Sequence, residues 1–263
     1  MSHAHDRRPW WPRLRVALLG AWTYFTFTVS TLAFIPILGA TALLFSRDPT
    51  RRIRGRMLRF FGRANYRLSP VWRFSVDDTA PADVRERAYV VVSNHESSAD
   101  PFLLSWLPWD MRWIVKEELF RAPLIGLLIR FGGDIALRRG RRDSIARMFE
   151  ECRRTLAGGM SIMLFPEGTR SRDGRLLPFK DGAFRMAIEA QVPLLPLALA
   201  GTRSCRPKGS IWFGHAVAKV RVLEPISTLG MTLEDLPRLR ELARERIGLA
   251  VEALRRELGE ALP

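Results

Sequence analysis

The sequence predicts a single α/β domain with a central, mostly parallel or mixed sheet flanked by helices, preceded by an N-terminal helical segment that associates with a membrane. Short apolar runs alternate with helical patterns between residues 89 and 200, as in α/β folds. An uncharged stretch lies near the N-terminus, and 263 residues fit one large domain better than two. We expect residues 1–75 to form the membrane-associating segment and residues 76–263 the α/β domain.

The uncharged stretch runs from Val16 to Ser46, and as one helix its 31 residues would be about 46 Å long. A bilayer core needs roughly 20 apolar residues, and Pro36 and Gly39 are expected to break the helix before its end. A bent or re-entrant segment and one straight crossing therefore both remain open. A cleaved signal peptide is the weaker alternative, because the run is too long for the apolar part of a signal.

Arginines flank this stretch on both sides. Basic residues near a membrane segment favour the cytoplasmic side, so we predict an inner (cell) membrane location with the α/β domain facing the cytoplasm. The flanking residues are Arg7, Arg8, Arg13 and Arg15 before the run, and Arg47, Arg51, Arg52, Arg54 and Arg56 after it.

Residues 51–68 have the pattern of a basic amphipathic helix, with apolar residues at helical spacing between arginines. An ordinary surface helix has the same pattern. Its position directly after the apolar stretch favours the membrane interface.

The α/β region contains five apolar runs that predict strands and four segments that predict helices. The strands are 89–93, 112–115, 135–137, 161–165 and 194–200. The helices are 101–107, 123–131, 144–156 and 179–190, and a long amphipathic helix at about 236–258 closes the chain.

The net charge of +15 predicts an anionic partner, for which nucleic acid and anionic lipid both qualify. An arginine-rich composition can also reflect genome base composition.

Cys152 and Cys205 have no neighbouring histidine or second cysteine that would complete a zinc set, so we interpret both as free structural thiols and predict no metal site. The sequence also lacks a glycine-rich nucleotide loop and a serine nucleophile elbow. Any catalysis is therefore expected to use His95 without a metal.

The first chemical motif, Asn94-His95-Glu96-Ser97-Ser98-Ala99-Asp100, begins where a buried strand ends. Active sites of α/β sheets form at the carboxyl ends of strands. Asp100 is well spaced to hold the Nδ1 proton of His95, which would leave Nε2 free to accept a proton from a hydroxyl. The alternative is that Asp100, followed by Pro101, only caps the next helix.

The second motif, Phe165-Pro166-Glu167-Gly168-Thr169-Arg170, also follows an apolar strand. Arg170 offers a planar fork suited to phosphate, and Gly168 lets the backbone approach a ligand. The alternative for this hexapeptide is a surface turn.

Three further cations follow predicted strands: Lys116, Arg138 and Arg139. Each one alone is best interpreted as a solvated surface charge. Their common position after strand ends favours convergence on an anion.

Together, Asn-His-x-x-x-x-Asp and Phe-Pro-Glu-Gly-Thr-Arg resemble the glycerolipid acyltransferases, particularly the lysophosphatidic acid acyltransferases. The resemblance extends over about residues 89–201. It implies that His95 is the general base and Asp100 its partner. It also implies a substrate-binding set of Asn94, Lys116, Arg139, Glu167, Gly168, Thr169 and Arg170, in which Arg139 is preferred to Arg138 as the phosphate contact. Ala136 and Glu117 depart from the pattern of many relatives, which bears on the acceptor more than on the chemistry.

The resemblance further implies transfer of a fatty acyl group from acyl-CoA or acyl-carrier protein to lysophosphatidic acid, with no cofactor. The expected partners are these lipid and thioester substrates, an anionic membrane and possibly acyl-carrier protein, but no nucleic acid. Another acceptor such as a lyso-ornithine lipid remains open, as do a hydrolase that uses the same base and a non-enzymatic basic protein that binds membrane or nucleic acid.

Overall fold

A computed structural model describes residues 10–77, 79–171, 173–206 and 213–260. It confirms the α/β class, with a seven-stranded mixed sheet flanked by helices. The strands are β1 Trp72–Asp77, β2 Val90–Ser93, β3 Met111–Lys116, β4 Ile135–Leu137, β5 Ser161–Leu164, β6 Leu194–Ala200 and β7 Ala216–Val222. The α-helices are α1 Trp10–Leu44, α2 Arg52–Leu68, α3 Asp100–Leu104, α4 Ile125–Gly132, α5 Arg142–Ala157, α6 Gly182–Ala190 and α7 Leu236–Leu258. Short 3₁₀ helices occupy Glu117–Arg121, Thr202–Cys205 and Leu233–Asp235.

The sheet has the order β1-β7-β6-β2-β5-β3-β4. The five strands from β6 to β4 are parallel, whereas β7 runs antiparallel to β6 and pairs in parallel with β1. The carboxyl ends of the five parallel strands therefore share one edge of the sheet. Ligand sites of α/β folds form at this edge.

Both faces of the sheet are covered, so the side chains of a central strand alternate between two apolar clusters. Val90 and Val92 of β2 face the cluster built with α5, α6 and α7. Val91 faces the opposite cluster, which includes Leu103 of α3 and Trp109. This burial on both faces explains why β2 is a continuous apolar run in the sequence.

The sequence patterns did not indicate two of the seven strands, β1 and β7. β7 alternates buried and less buried residues and contains Lys219 and Arg221. β1 is an edge strand that pairs with β7, and its composition is mixed, with Arg73 and Asp77 in a run of six residues. Because β1 begins at Trp72, the predicted boundary at residue 75 falls inside a strand of the sheet.

α1 is one continuous helix through Pro36 and Gly39, so the predicted break is wrong. Proline removes one intrahelical hydrogen bond and crowds the preceding turn, but packing against α2 and α4 offsets this cost. Gly39 lies against α4, where a Cβ at this position would come within 3.6 Å of the Phe131 ring. The helix would be about 52 Å long at the usual rise per residue.

The face of α1 turned away from α2 and α4 exposes large apolar side chains. Leu18, Phe25 and Leu32 are each more than half exposed, and Phe60 of α2 extends this surface. The span Ala17–Leu44 is long and apolar enough to cross a membrane by length and composition. This exposed apolar face is consistent with the predicted association with a membrane.

Candidate active site

The motifs predicted from the sequence lie at the shared carboxyl edge of the parallel strands. The first follows β2, the second follows β5, Lys116 ends β3, and Arg138 and Arg139 follow β4. β5, β3 and β4 follow β2 in that order across the sheet. At the usual spacing between strands, β3 and β4 lie roughly 10 and 14 Å from β2.

His95 and Asp100 are in direct contact, with 2.6 Å between Nδ1 and Oδ2. The Asp100 side chain is fully buried, whereas His95 is 20% exposed and so reaches the surface of the edge. A carboxylate can only accept, so this contact puts the imidazole proton on Nδ1 and leaves a lone pair on Nε2. Such an imidazole can take a proton from a hydroxyl.

Three further groups donate to Asp100. The Glu96 amide lies 2.9 Å from Oδ2, the Ser97 amide lies 3.1 Å from both oxygens, and the Thr202 hydroxyl donates to Oδ1. Asp100 is the first residue of α3, but its carboxylate accepts from amides that precede the helix, and no side-chain cap is present at this terminus. The capping alternative is therefore wrong, and the carboxylate is organised around His95.

Phe165 and Thr202 are site residues that the sequence analysis did not single out. The Phe165 ring stacks on His95, with centroids 4.1 Å apart and planes inclined by 15°. Thr202 follows the carboxyl end of β6, the neighbour of β2. Active sites form after the carboxyl ends of parallel strands, and this rule pointed to the residues after β2 and β5. Applied to β6, the same rule could have identified Thr202.

Glu167 joins the two motifs. Its Oε1 accepts from the His95 amide at 2.7 Å, and its Oε2 accepts from the Leu177 amide at 2.9 Å. Burial raises the pKa of Glu167, and these two amide bonds oppose the rise. Both oxygens are thus engaged by the backbone of the site, while the predicted contact of Glu167 with an acceptor stays a prediction.

Asn94 is buried, and its amide bridges β2 to β6. Its Nδ2 donates to the Leu199 carbonyl at 3.0 Å, and its Oδ1 accepts from the Leu199 amide at 2.8 Å. In this arrangement Asn94 fixes the start of the first motif. Its predicted substrate contact is untested.

Gly168, Thr169 and Arg170 form the outer part of the second motif. Gly168 has φ +71°, a backbone conformation that favours glycine, and a Cβ there would come within 3.1 Å of Lys180 Nζ. Thr169 is exposed and Arg170 half-buried. Lys180 therefore adds a cation beside this loop that the sequence patterns did not indicate.

The cations after β3 and β4 lie among acidic side chains. Lys116 Nζ is 3.4 Å from Glu118, and Arg138 Nε is 3.9 Å from Glu117. Arg139 is exposed. Glu117 faces Arg138 and Glu118 interacts electrostatically with Arg139, so both arginines have an acidic neighbour.

The two cysteines are buried and free, as expected. Burial raises the pKa of the Cys152 thiol to about 12 and also raises that of Cys205. Neither thiol is therefore prepared to act as a nucleophile. Among the described residues, no group of three or more His, Cys, Asp or Glu side chains could hold a metal ion.

Comparison with known proteins shows that the chain is similar to acyltransferases. The family model described as Acyltransferase matches residues 74–200. The chain is 39% identical to human 1-acyl-sn-glycerol-3-phosphate acyltransferase alpha over 59% of this chain and 56% of the relative. It is 36% identical to the human beta protein, over 64% and 60%. The match thus spans little more than half the length of these relatives.

A solved structure matches nearly the whole chain. It is the crystal structure of the 1-acyl-sn-glycerophosphate (LPA) acyltransferase PlsC from Thermotoga maritima, with a TM-score of 0.75 and 28% identity. The match covers 95% of this chain and 99% of that one. The similarity therefore includes the N-terminal helices as well as the sheet.

Proposed function

We propose that the chain transfers a fatty acyl group to the free hydroxyl of lysophosphatidic acid, forming phosphatidic acid. Its similarity to the acyltransferase family model and to the 1-acyl-sn-glycerol-3-phosphate acyltransferases supports this proposal. The observation that carries the proposal is the contact between His95 and the buried Asp100 at the carboxyl edge of the sheet. The acyl donor is a thioester, either acyl-CoA or acyl-carrier protein, and no cofactor is required.

In the proposed reaction, Nε2 of His95 takes the proton of the acceptor hydroxyl as its oxygen attacks the thioester carbonyl. The new C–O bond forms, the C–S bond breaks, and the proton passes to the departing thiolate. Asp100 stabilises the imidazolium that forms in between, and Phe165 keeps the ring plane fixed. A positioned base of this kind contributes about 10²- to 10⁴-fold to the rate.

The acceptor phosphate is assigned to the cations at the same edge. Arg170 and Lys180 flank the second motif, and Arg139 and Lys116 follow the strands beyond it. Arginine binds phosphate with two parallel hydrogen bonds, whereas lysine acts as a point charge. This arrangement suits an acceptor that carries a phosphate monoester next to its free hydroxyl.

We further propose that α1 lies along the membrane interface rather than across the bilayer. One face of α1 is occupied by the protein, from the Trp22 indole, which donates to the Leu68 carbonyl at 3.1 Å, to Gly39 beside Phe131. This contact extends over about 26 Å of helix. The opposite, apolar face is the one available to lipid.

The charges of α2 support this orientation. Arg56 and Arg59 both pair with Asp110 at the start of β3. If α1 crossed the bilayer, α2 would enter the hydrocarbon with these charges, which is costly. The arginines on both sides of α1 favour the cytoplasmic leaflet.

A direct test is turnover of labelled acyl-CoA and lysophosphatidic acid by the purified protein in detergent. We expect His95→Ala to abolish phosphatidic acid formation, whereas His215→Ala, which alters an exposed histidine outside the site, leaves it unchanged. Equal turnover by wild type and His95→Ala would refute the proposed base. Release of free fatty acid without an acceptor would instead identify a hydrolase.

A further inference from the structure

Arg255 lies in the last turn of α7, and its side chain is only 6% exposed. Its Nη2 donates to Glu96 Oε1 at 2.7 Å and to the Gly174 carbonyl at 2.7 Å. Glu96 is equally buried. The Arg255 guanidinium therefore joins two loops. Glu96 lies 159 residues before it in the sequence, and Gly174 lies 81 residues before it.

The first of these loops holds the proposed base. Glu96 directly follows His95, and its amide donates to Asp100 Oδ2 at 2.9 Å. A shift of the Glu96 side chain therefore displaces an amide that holds Asp100.

The second loop supports His95 from the other side. Gly174 donates its amide to Ser171 Oγ at 2.9 Å, and the Ser171 amide lies 3.4 Å from the His95 carbonyl. Further along, the Leu177 amide is held by Glu167. Gly174 has φ +93°, a backbone conformation that favours glycine, and a Cβ there would lie 2.8 Å from Arg203 Nη1 and at ordinary contact distance, 3.4 Å, from Arg255 Nη2.

The energetics of the pair argue for a role other than stability. Removing two charges from water costs several kcal/mol for each ion, and a buried ion pair is weak evidence of stabilisation. Burial raises the pKa of Glu96 to about 7 even though Arg255 opposes the rise. The second oxygen, Oε2, is buried without a hydrogen-bond partner in the described structure. Because the Glu96–Arg255 pair is costly to bury, we interpret its role as holding the two loops in position rather than as stabilising the fold.

We infer that Arg255 is a positioning residue for the proposed acyl transfer, holding Glu96 and Gly174 so that the two loops keep His95 and Asp100 in contact. This inference rests on the proposed function only for its kinetic consequence. The structural consequence, that Arg255 rigidifies both loops, stands on the contacts alone.

The kinetic test compares Arg255→Gln with Arg256→Gln, the same change at the exposed neighbouring arginine. We expect Arg255→Gln to lower kcat on the order of tenfold to 100-fold, since small misplacements of a catalytic group have effects of this size. Both KM values stay close to those of wild type, because Arg255 contacts neither substrate. Unchanged kcat, or a loss confined to the KM of either substrate, would overturn the inference.

A double variant tests whether the two residues act as a pair. Arg255→Gln alone leaves a buried carboxyl group without the cation that stabilises its charged form, and the additional change Glu96→Gln removes this titratable group. We therefore expect Glu96→Gln/Arg255→Gln to be less impaired than Arg255→Gln. Independent effects of the two substitutions would contradict a shared role.

Hydrogen exchange gives a readout that does not depend on activity. We expect faster exchange of the amides of residues 95–100 and 173–177 in Arg255→Gln, with no change in Arg256→Gln and no change in β4, which lies at the far edge of the sheet. Unchanged exchange would refute the inference even if the enzyme is active. If wild type fails to acylate lysophosphatidic acid while exchange changes as expected, the proposed function fails and the positional role of Arg255 stands.

Discussion

Thr202 donates its hydroxyl to Asp100 Oδ1, the oxygen that His95 does not contact. The carboxylate is thereby held from both sides, by the base through Oδ2 and by the end of β6 through Oδ1. The loop after β6 is thus part of the same site as the loop after β2.

Removing the Thr202 hydroxyl should impair catalysis without affecting binding. Thr202→Val keeps the shape but loses the donor, so only the Glu96 and Ser97 amides of the described donors still orient the Asp100 carboxylate toward His95. A bond to a charged group is worth roughly 1.5–3 kcal/mol, and we expect kcat to fall about tenfold or more. Thr202→Ser keeps the hydroxyl and should stay near wild type. Equal kcat values for the valine and serine variants would contradict the role assigned to this hydroxyl.

Glu167→Gln tests whether Glu167 has a structural role in the site. Gln has one oxygen where Glu167 has two, so its amide nitrogen would face the backbone N–H of either His95 or Leu177. That N–H would then have lost the oxygen that accepts its hydrogen bond. We expect thermal unfolding to show a loss of about 1–3 kcal/mol. Glu189→Gln, at a side chain paired only with Arg185 on the surface, is the matched control. A Glu167→Gln protein as stable as wild type would favour a role confined to substrate contact.

The phosphate assignment predicts an effect on the acceptor KM. Arg139→Ala and Arg170→Ala should each raise the KM for lysophosphatidic acid about tenfold, the effect of losing roughly 1.4 kcal/mol of binding. Arg138→Ala should have a smaller effect, because the family resemblance assigns the phosphate contact to Arg139 rather than to Arg138. With monoacylglycerol as acceptor, which lacks the phosphate, the differences should disappear. An unchanged KM for lysophosphatidic acid in both variants would refute the assignment.

The interfacial orientation of α1 predicts that charge on its outer face releases the protein from membranes. We expect Phe25→Glu/Leu32→Glu to move a large fraction of the protein out of the vesicle-bound pool in flotation assays, because both side chains are exposed on the apolar face. Leu229→Glu, at an exposed leucine outside α1 and α2, should leave binding unchanged. Retention of the double variant after alkaline extraction would favour a helix that crosses the bilayer.

The raised pKa of Glu96 predicts a pH-dependent stability difference. The folded state binds the proton more tightly than the unfolded state, so the contribution of Glu96 to stability is present at low pH and is lost as the pH rises from 4.5 to about 7. The groups that act on this carboxyl are Arg255, Asp100 and Glu260. Glu96→Gln does not titrate, so its stability relative to wild type should increase by on the order of 1–3 kcal/mol between pH 4.5 and pH 8.

The measurement is chemical unfolding of both proteins across this pH range. Burial also raises the pKa of Asp134 to about 7. Because Asp134 is present in both proteins, its contribution cancels in the stability difference between them. A difference that is independent of pH would show that Glu96 does not titrate in this window.

Local patterns in the sequence were sufficient for several elements. α7 has the predicted bounds Leu236–Leu258, and β4 and β6 lie where their apolar runs lie. Helical periodicity marks α7, and burial on both faces makes β6 a continuous apolar run. The contact of His95 with Asp100 could also be predicted from a local pattern. It joins residues five positions apart on a loop whose position after a buried strand is visible in the sequence.

Tertiary structure decided the rest. β1 and β7 were missed because both carry charged residues between their apolar ones, which an edge strand such as β1 tolerates. The expected break of α1 did not occur because α2 and α4 pack against the helix. Thr202 and Arg255 reach the first motif from 102 and 159 residues away. The order of the parallel strands and the packing of α7 set these contacts, and neither leaves a periodic signal in the residues concerned. The sequence by itself thus determined the fold class, the apolar helix and the residues of the two motifs, whereas the side chains that hold these motifs in place were determined by contacts that exist only once the sheet has assembled.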